Sequence, residues 1–243
     1  MTRDQRYRFL YKPLIHLACL VPFLWALSGV LAASGIALPS AVPVPELGAD
    51  PVRRVLGIVG KSTLNLLLIT LAVTPLRQLT GNAHLLRFRR MLGLYAFFYA
   101  CSHFLVYLGP YQSFSWPEIS KDIVKRPYIT LGFTALVMLV PLAVTSTSGM
   151  MRRLKKRWTT IHRMIYVIAT LGVWHYWWQV KKDIREPLVY AAILAVLLGW
   201  RVWKRSAARQ RPAAPAGPGT GTGGPTPIAA TSTSAPPTVP ERT

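Results

Sequence analysis

Six long stretches of this chain contain no Asp or Glu and are predominantly apolar: Leu14–Leu38, Val55–Leu76, Met91–Leu108, Tyr128–Thr145, Ile161–Val180 and Leu188–Trp203. A helix crosses roughly 30 Å of hydrocarbon with about 20 residues, so each stretch reads as a membrane span. The predicted fold is an all-α polytopic membrane protein, a bundle of six transmembrane helices over residues 14–205. A cytoplasmic arm, 1–13, precedes it and a cytoplasmic tail, 206–243, follows. From Pro212 to Pro240 that tail is almost wholly Pro, Gly, Ala, Ser and Thr, which bury too little apolar surface to offset ordering entropy, and it is expected to be disordered. With 51% apolar residues against 15% charged, the composition argues against a soluble enzyme. The first stretch reads as a retained span, because it is too long for a cleaved signal and ends in no clear small-residue site.

The formal charge of +21 raises nucleic acid as a partner, but the basic residues lie in short clusters between apolar runs and form no hydrated face. They read instead as a guide to topology. Clusters in the amino-terminal arm, the second and fourth connections and the tail hold 20 of the 29 Lys and Arg, whereas six of the eight acids fall in the other connections. The clustered segments are therefore assigned to the cytoplasm, with both termini inside. Lys61 lies near the start of the second stretch and is expected to snorkel to the interface. Cys19 and Cys101 sit inside apolar segments and have no metal-ligating spacing, so they read as core residues.

Ionisable groups inside a membrane are costly, and their depth is informative. His84 is expected at the surface and His16 near an interface. His103 lies 12 residues past Met91 and His175 lies 14 past Ile161, about 18 and 21 Å along two helices that run in the same direction. They share a level at which two imidazoles can hold a haem iron from opposite sides. His162 is 13 residues before His175, some 20 Å nearer the cytoplasm, and 13 steps of about 100° turn the two side chains roughly 140° apart. A bend or a different cofactor azimuth is needed there. The positions 13 and 14 residues before His103 are Arg90 and Arg89, poor iron ligands but good clamps for a propionate, a phosphate or a quinone oxygen. Gly93, Gly132 and Gly172 allow close approach of a helix or a flat macrocycle, which the sequence does not separate. Trp174, Trp177 and Trp178 read as an interfacial belt with Trp158 as its inner counterpart. Thr145–Gly149, TSTSG, is expected to end the fourth helix through hydroxyl bonds and a left-handed glycine. No glycine-rich nucleotide motif follows a strand, so the chain is not expected to oxidise a nicotinamide by itself in the familiar manner.

Taken as a set, LRFRRMLGLYAFFYACSHFLVY (86–107), KRPYITLG (125–132), TSTSGMMRRLKKRWTTIHRMIYV (145–167) and WHYWW (174–178) resemble the ferric-reductase-like transmembrane family, and closely its haem-binding subunits of periplasmic protein-methionine-sulfoxide reductase systems. The resemblance covers roughly residues 8–205. It implies a bacterial inner-membrane electron conduit with haem b, one site expected and a second left open, and an association with flavin mononucleotide. It also implies the quinol pool as donor and a periplasmic molybdopterin-containing catalytic subunit as acceptor, in repair of oxidised methionine. The chain would then be the electron-transfer subunit and not the catalytic one. The family's haem-linked histidines fall on His103, His162 and His175, and its pattern of two histidines on each of two helices is broken at Arg89 and Arg90. The outward connection 109–127 and the turn 181–186 are the expected docking surface. A stand-alone ferric or other metal reductase, and a non-redox transporter, remain as alternatives.

Overall fold

The computed structural model describes residues 5, 7–180 and 183–209. The expected disordered tail beyond Arg209 lies outside them. Among the described residues the chain is helical, with no strand: α1 Lys12–Ala33, α2 Pro51–Thr80, α3 Leu86–Val106, α4 Trp116–Lys125, α5 Pro127–Val144, α6 Ser148–Leu154, α7 Lys156–His162, α8 Ile165–Gln179 and α9 Arg185–Arg209. A π-helical turn at Tyr7–Tyr11 leads into α1, so helix begins inside the expected arm. At the other end, α9 runs four residues past the expected boundary at 205.

Helix limits follow from local chemistry. Asp50 accepts from the Arg53 amide at 3.0 Å and Pro51 occupies the first turn of α2, where a missing N–H costs nothing. Gly81, at φ 68°, closes that helix in the left-handed conformation. The expected close of the fourth span is half right. Thr145 and Ser146 do donate to the Pro141 and Leu142 carbonyls, at 2.5 and 2.7 Å. Gly149 is not left-handed, however: it lies inside α6, whose first turn is capped by Thr147 accepting from the Met150 amide.

Five helical stretches are long and apolar enough to cross a membrane: Phe9–Ala33, Pro51–Thr80, Ala83–Tyr111, Pro127–Val144 and Arg185–Ala207. The fifth expected span, 161–180, is not one continuous helix. The chain turns at Arg163–Met164, where the amides reach only three residues back, to Thr160 and Ile161, and α8 itself extends about 22 Å. Six continuous spans thus become five plus an interrupted one. The interruption falls between His162 and His175, where the ideal-helix azimuths conflicted.

The centre of the bundle is α2. Buried residues make up 56% of its most apolar window, against 17–22% in the other four candidate spans. It packs against α1, α3, α8 and α9, while α5 packs against α3, α8 and the short α4. The outer helices expose apolar stripes at helical spacing, Leu14, Leu17, Val21 and Leu24 on α1 and Phe133, Val137, Val140 and Val144 on α5. A helix apolar on both its packed and its open face is suited to lipid.

Two prolines inside these helices are matched by polar side chains from neighbours. Pro75 lacks the N–H that would reach the Leu71 carbonyl; Arg201 on α9 donates to that oxygen at 2.7 Å and covers the Tyr166 ring at 5.0 Å. Beside Pro22, the fully buried Tyr99 hydroxyl inserts into the ladder of α1, accepting from the Phe23 amide at 2.9 Å and donating to the Cys19 carbonyl at 2.7 Å.

Candidate functional site

The basic clusters mark one end of the bundle, and the first and third connections mark the far end. His103 on α3 and His175 on α8 come together near the far end, three and four residues before their helices finish. Their ring centroids are 6.2 Å apart and the planes cross at 85°. His103 Nδ1 lies 3.1 Å from the Leu56 carbonyl and His175 Nδ1 lies 2.6 Å from the Tyr128 carbonyl. A carbonyl oxygen can only accept, so each neutral ring carries its proton on Nδ1 and keeps the Nε2 lone pair for another partner. This is the arrangement in which a carbonyl fixes the tautomer and orientation of a ligating imidazole.

The space for these rings is made by two glycines. A Cβ at Gly60 on α2 would stand 3.0 Å from His103 Cε1 and Nδ1, and one at Gly132 on α5 would stand 2.8 Å from His175 Nδ1. Gly93 and Gly172 have ordinary contacts instead, with Thr70 at 4.0 Å and Leu64 at 3.5 Å. The sequence treated three glycines alike; the structure gives the ring-facing role to Gly132 and adds Gly60.

The residues fit an iron held from two sides. With a metal–nitrogen distance of about 2 Å, two coaxial imidazole ligands would have centroids roughly 6.3 Å apart. The observed separation matches that figure. Two imidazoles are the ligand set that a protein offers an iron whose other ligands come from a macrocycle.

The remaining sequence-singled residues lie elsewhere. His162, at the end of α7, stacks on Trp158 at 3.9 Å and lies 3.1 Å from the Trp158 carbonyl through Nδ1. Its Nε2 faces the Ser146 hydroxyl at 3.4 Å rather than another imidazole. Arg90 reaches Ser148 at 3.4 Å, and Arg89 is half-buried at the same end of α3. A cavity of about 410 Å³ opens there, lined by Thr147, Gly149, Met150, Arg152 and Arg153. The groups beside His162 are thus hydroxyls and a carbonyl, with guanidinium groups at the same end of the bundle, a set able to hold a hydrogen-bonded ligand. His16 bonds the Tyr95 hydroxyl at 2.8 Å, and His84 sits in the short turn Ala83–Leu85. Trp158 also donates to the Thr145 carbonyl at 3.0 Å, so it is a packing partner of the basic end as well as an interfacial ring.

Two polar clusters near the far end were not singled out in the sequence. Asp122 on α4 is buried, pairs with Arg126 at 3.2 Å and accepts from Tyr107 and Gln112. Arg126 adjoins the segment whose Tyr128 carbonyl holds His175. Lys61 does not simply snorkel: it meets Glu186 on α9 at 2.5 Å, and the Tyr176 hydroxyl donates to the same oxygen at 2.5 Å. The only sequence signal for either cluster was an acid close to an apolar stretch.

Comparison with known proteins gives this geometry a family. Residues 56–173 match the family described as ferric reductase like transmembrane component. The chain is 63% identical over 164 residues to the protein-methionine-sulfoxide reductase heme-binding subunit MsrQ of Xanthomonas campestris pv. campestris (strain 8004), covering 68% of this chain and 75% of that protein. It is 47% identical over 197 residues to the protein of the same name from Herminiimonas arsenicoxydans, covering 80% and 85%. The chain belongs to the MsrQ family. The resemblance noted in the sequence is borne out, and MsrQ membership together with the five long apolar helices makes this a multi-pass membrane protein. The matched stretch includes Gly60, His103, Gly132 and His162 and stops two residues short of His175, which the fold brings back to His103.

Proposed function

We propose that this chain is the haem-binding membrane subunit of a protein-methionine-sulfoxide reductase system and conducts electrons through one haem b held by His103 and His175. The observation that carries this reading is the facing pair of imidazoles, each with Nδ1 directed at a carbonyl and with room made by a glycine. When bound, haem supplies one-electron redox chemistry at physiological potentials. His103 and His175 ligate and orient it, Leu56 and Tyr128 fix their tautomers, and the apolar faces of α2, α3, α5 and α8 keep water away.

In this reading the basic end faces the cytoplasm and both termini lie there, in a bacterial inner membrane. The quinol pool is the donor and His162, Arg89 and Arg90 form the donor side. Oxidation of a quinol to a quinone releases two electrons and two protons, and reduction of a sulfoxide to a thioether and water consumes two of each. The acceptor is a periplasmic molybdopterin-containing catalytic subunit, docking at the far end close to the histidine pair. Flavin mononucleotide, also implied by the family resemblance, is given no residues.

The test is reduction of the detergent-solubilised, haem-loaded chain by a short-chain quinol, followed by optical spectroscopy. Replacing Arg89 and Arg90 together by Gln should slow quinol-driven reduction at least tenfold while the dithionite-reduced spectrum stays unchanged. Reduction at the unaltered rate removes the donor side from this account. Oxidation of the reduced chain only on addition of the catalytic subunit with a methionine-sulfoxide substrate is expected, and oxidation by ferric chelates alone at the same rate would favour a stand-alone metal reductase.

A further inference from the structure

A charged pair lies beside the histidine pair and has no part in ligation. Lys61 follows Gly60, whose missing Cβ admits the His103 ring, and Tyr176 follows His175. Lys61 Nζ and the Tyr176 hydroxyl both donate to Glu186 Oε2, at 2.5 Å each, and Nζ is 6.0 Å from the Tyr176 ring centroid. The cluster thus ties α2, α8 and α9 together at the level of the two imidazoles. Lys61 is 19 residues before the end of α2, about 29 Å from the basic end, which puts the pair at the far edge of a hydrocarbon core. Glu186 stands in the first turn of α9, where a helix N-terminus favours an anion.

Adding an electron to the ligated iron adds a negative charge, and a fixed charge nearby shifts the balance between oxidised and reduced forms according to its sign. As a pair, Lys61 and Glu186 present nearly cancelling charges; separated, they act in opposite directions. We propose that Lys61 and Glu186 are positioning residues that set the reduction potential of the haem between His103 and His175. The proposal rests on the ligation described under Proposed function.

The experiment is an equilibrium redox titration of the purified, haem-loaded full chain at pH 8, followed optically. Lys61→Met leaves Glu186 uncompensated and should favour the oxidised form; with the two side chains 42% and 57% exposed, the screened effect is about two- to fivefold in the redox equilibrium. Glu186→Gln leaves Lys61 uncompensated and should favour the reduced form by a similar factor. The double variant should return close to the unmodified protein, and Lys121→Met, which breaks an exposed 3.7 Å pair with Glu118 on α4, should change nothing. Shifts of the same sign in both single variants, no shift in either, or an equal shift from Lys121→Met would overturn the proposal. Haem content and oxidised spectrum serve as the control for ligation. Haem that persists in His103→Ala overturns the ligation itself, whereas a normally ligated haem with an unmoved potential overturns only the role of the charged pair.

Discussion

Replacing Gly132 by Ala should damage the histidine site more than any other single methyl group added to the bundle. The new Cβ would lie 2.8 Å from His175 Nδ1, 3.0 Å from Cε1 and 3.3 Å from Cγ. Nonbonded carbon and nitrogen rest near 3.5 Å, so the ring must retreat by roughly 0.7 Å. The imidazole is also held at 2.6 Å by the Tyr128 carbonyl on the same helix, so it cannot retreat without loosening that bond. Overpacking of this size costs about 1–3 kcal/mol, or roughly 5- to 150-fold in affinity if it is all expressed as cofactor loss. The assay is haem retention on dilution in detergent, with thermal unfolding of the same preparation. Gly172→Ala is the matched control, because its Cβ would meet only Leu64, at an ordinary 3.5 Å. Equal haem retention and equal stability in the two variants would refute the claim that Gly132 exists to seat the ring.

Further variants test the supports around the site. Tyr99→Phe removes the hydroxyl threaded through α1 and should lower stability by about 1–3 kcal/mol, read as thermal unfolding in detergent, with haem ligation intact. Arg201→Met leaves the Leu71 carbonyl beside Pro75 without its donor and should destabilise by a similar amount, seen as faster amide exchange in the following turn of α2. Lys155 joins α6 to α7 at φ 45° and ψ −115°, a conformation that suits glycine, so Lys155→Gly should raise the unfolding temperature slightly.

What the sequence revealed and what it hid follow from the range of each interaction. Apolar length and the absence of acids are properties of a single segment, so the all-α membrane bundle and its basic and far ends could be read directly. His103 and His175 could be paired by depth because rise per residue is nearly constant along a helix. The break at Arg163–Met164 was legible only in part: the 140° conflict between His162 and His175 called for a bend or another azimuth, but no Pro or Gly marks where the bend falls. Gly60 looked like any other small residue in a span, and only the packing of α2 on α3 shows that an imidazole occupies its open side. Asp122 and Glu186 were counted as acids of the connections, because their partners, Tyr107 and Gln112 in one case and Lys61 and Tyr176 in the other, are supplied by tertiary contact. His162 had the right spacing for a second iron, yet the residue opposite its Nε2 is Ser146, placed there by the turn after α5.

The most direct test of the account is haem stoichiometry with ligand variants: pyridine haemochrome content per chain, and the dithionite-reduced minus oxidised spectrum, for the purified protein and for His103→Ala, His175→Ala and His162→Ala. The account predicts one haem b per chain with a low-spin spectrum, abolished in the first two variants and retained in the third. Two haems per chain, or a spectrum lost in His162→Ala and kept in His103→Ala, would contradict it.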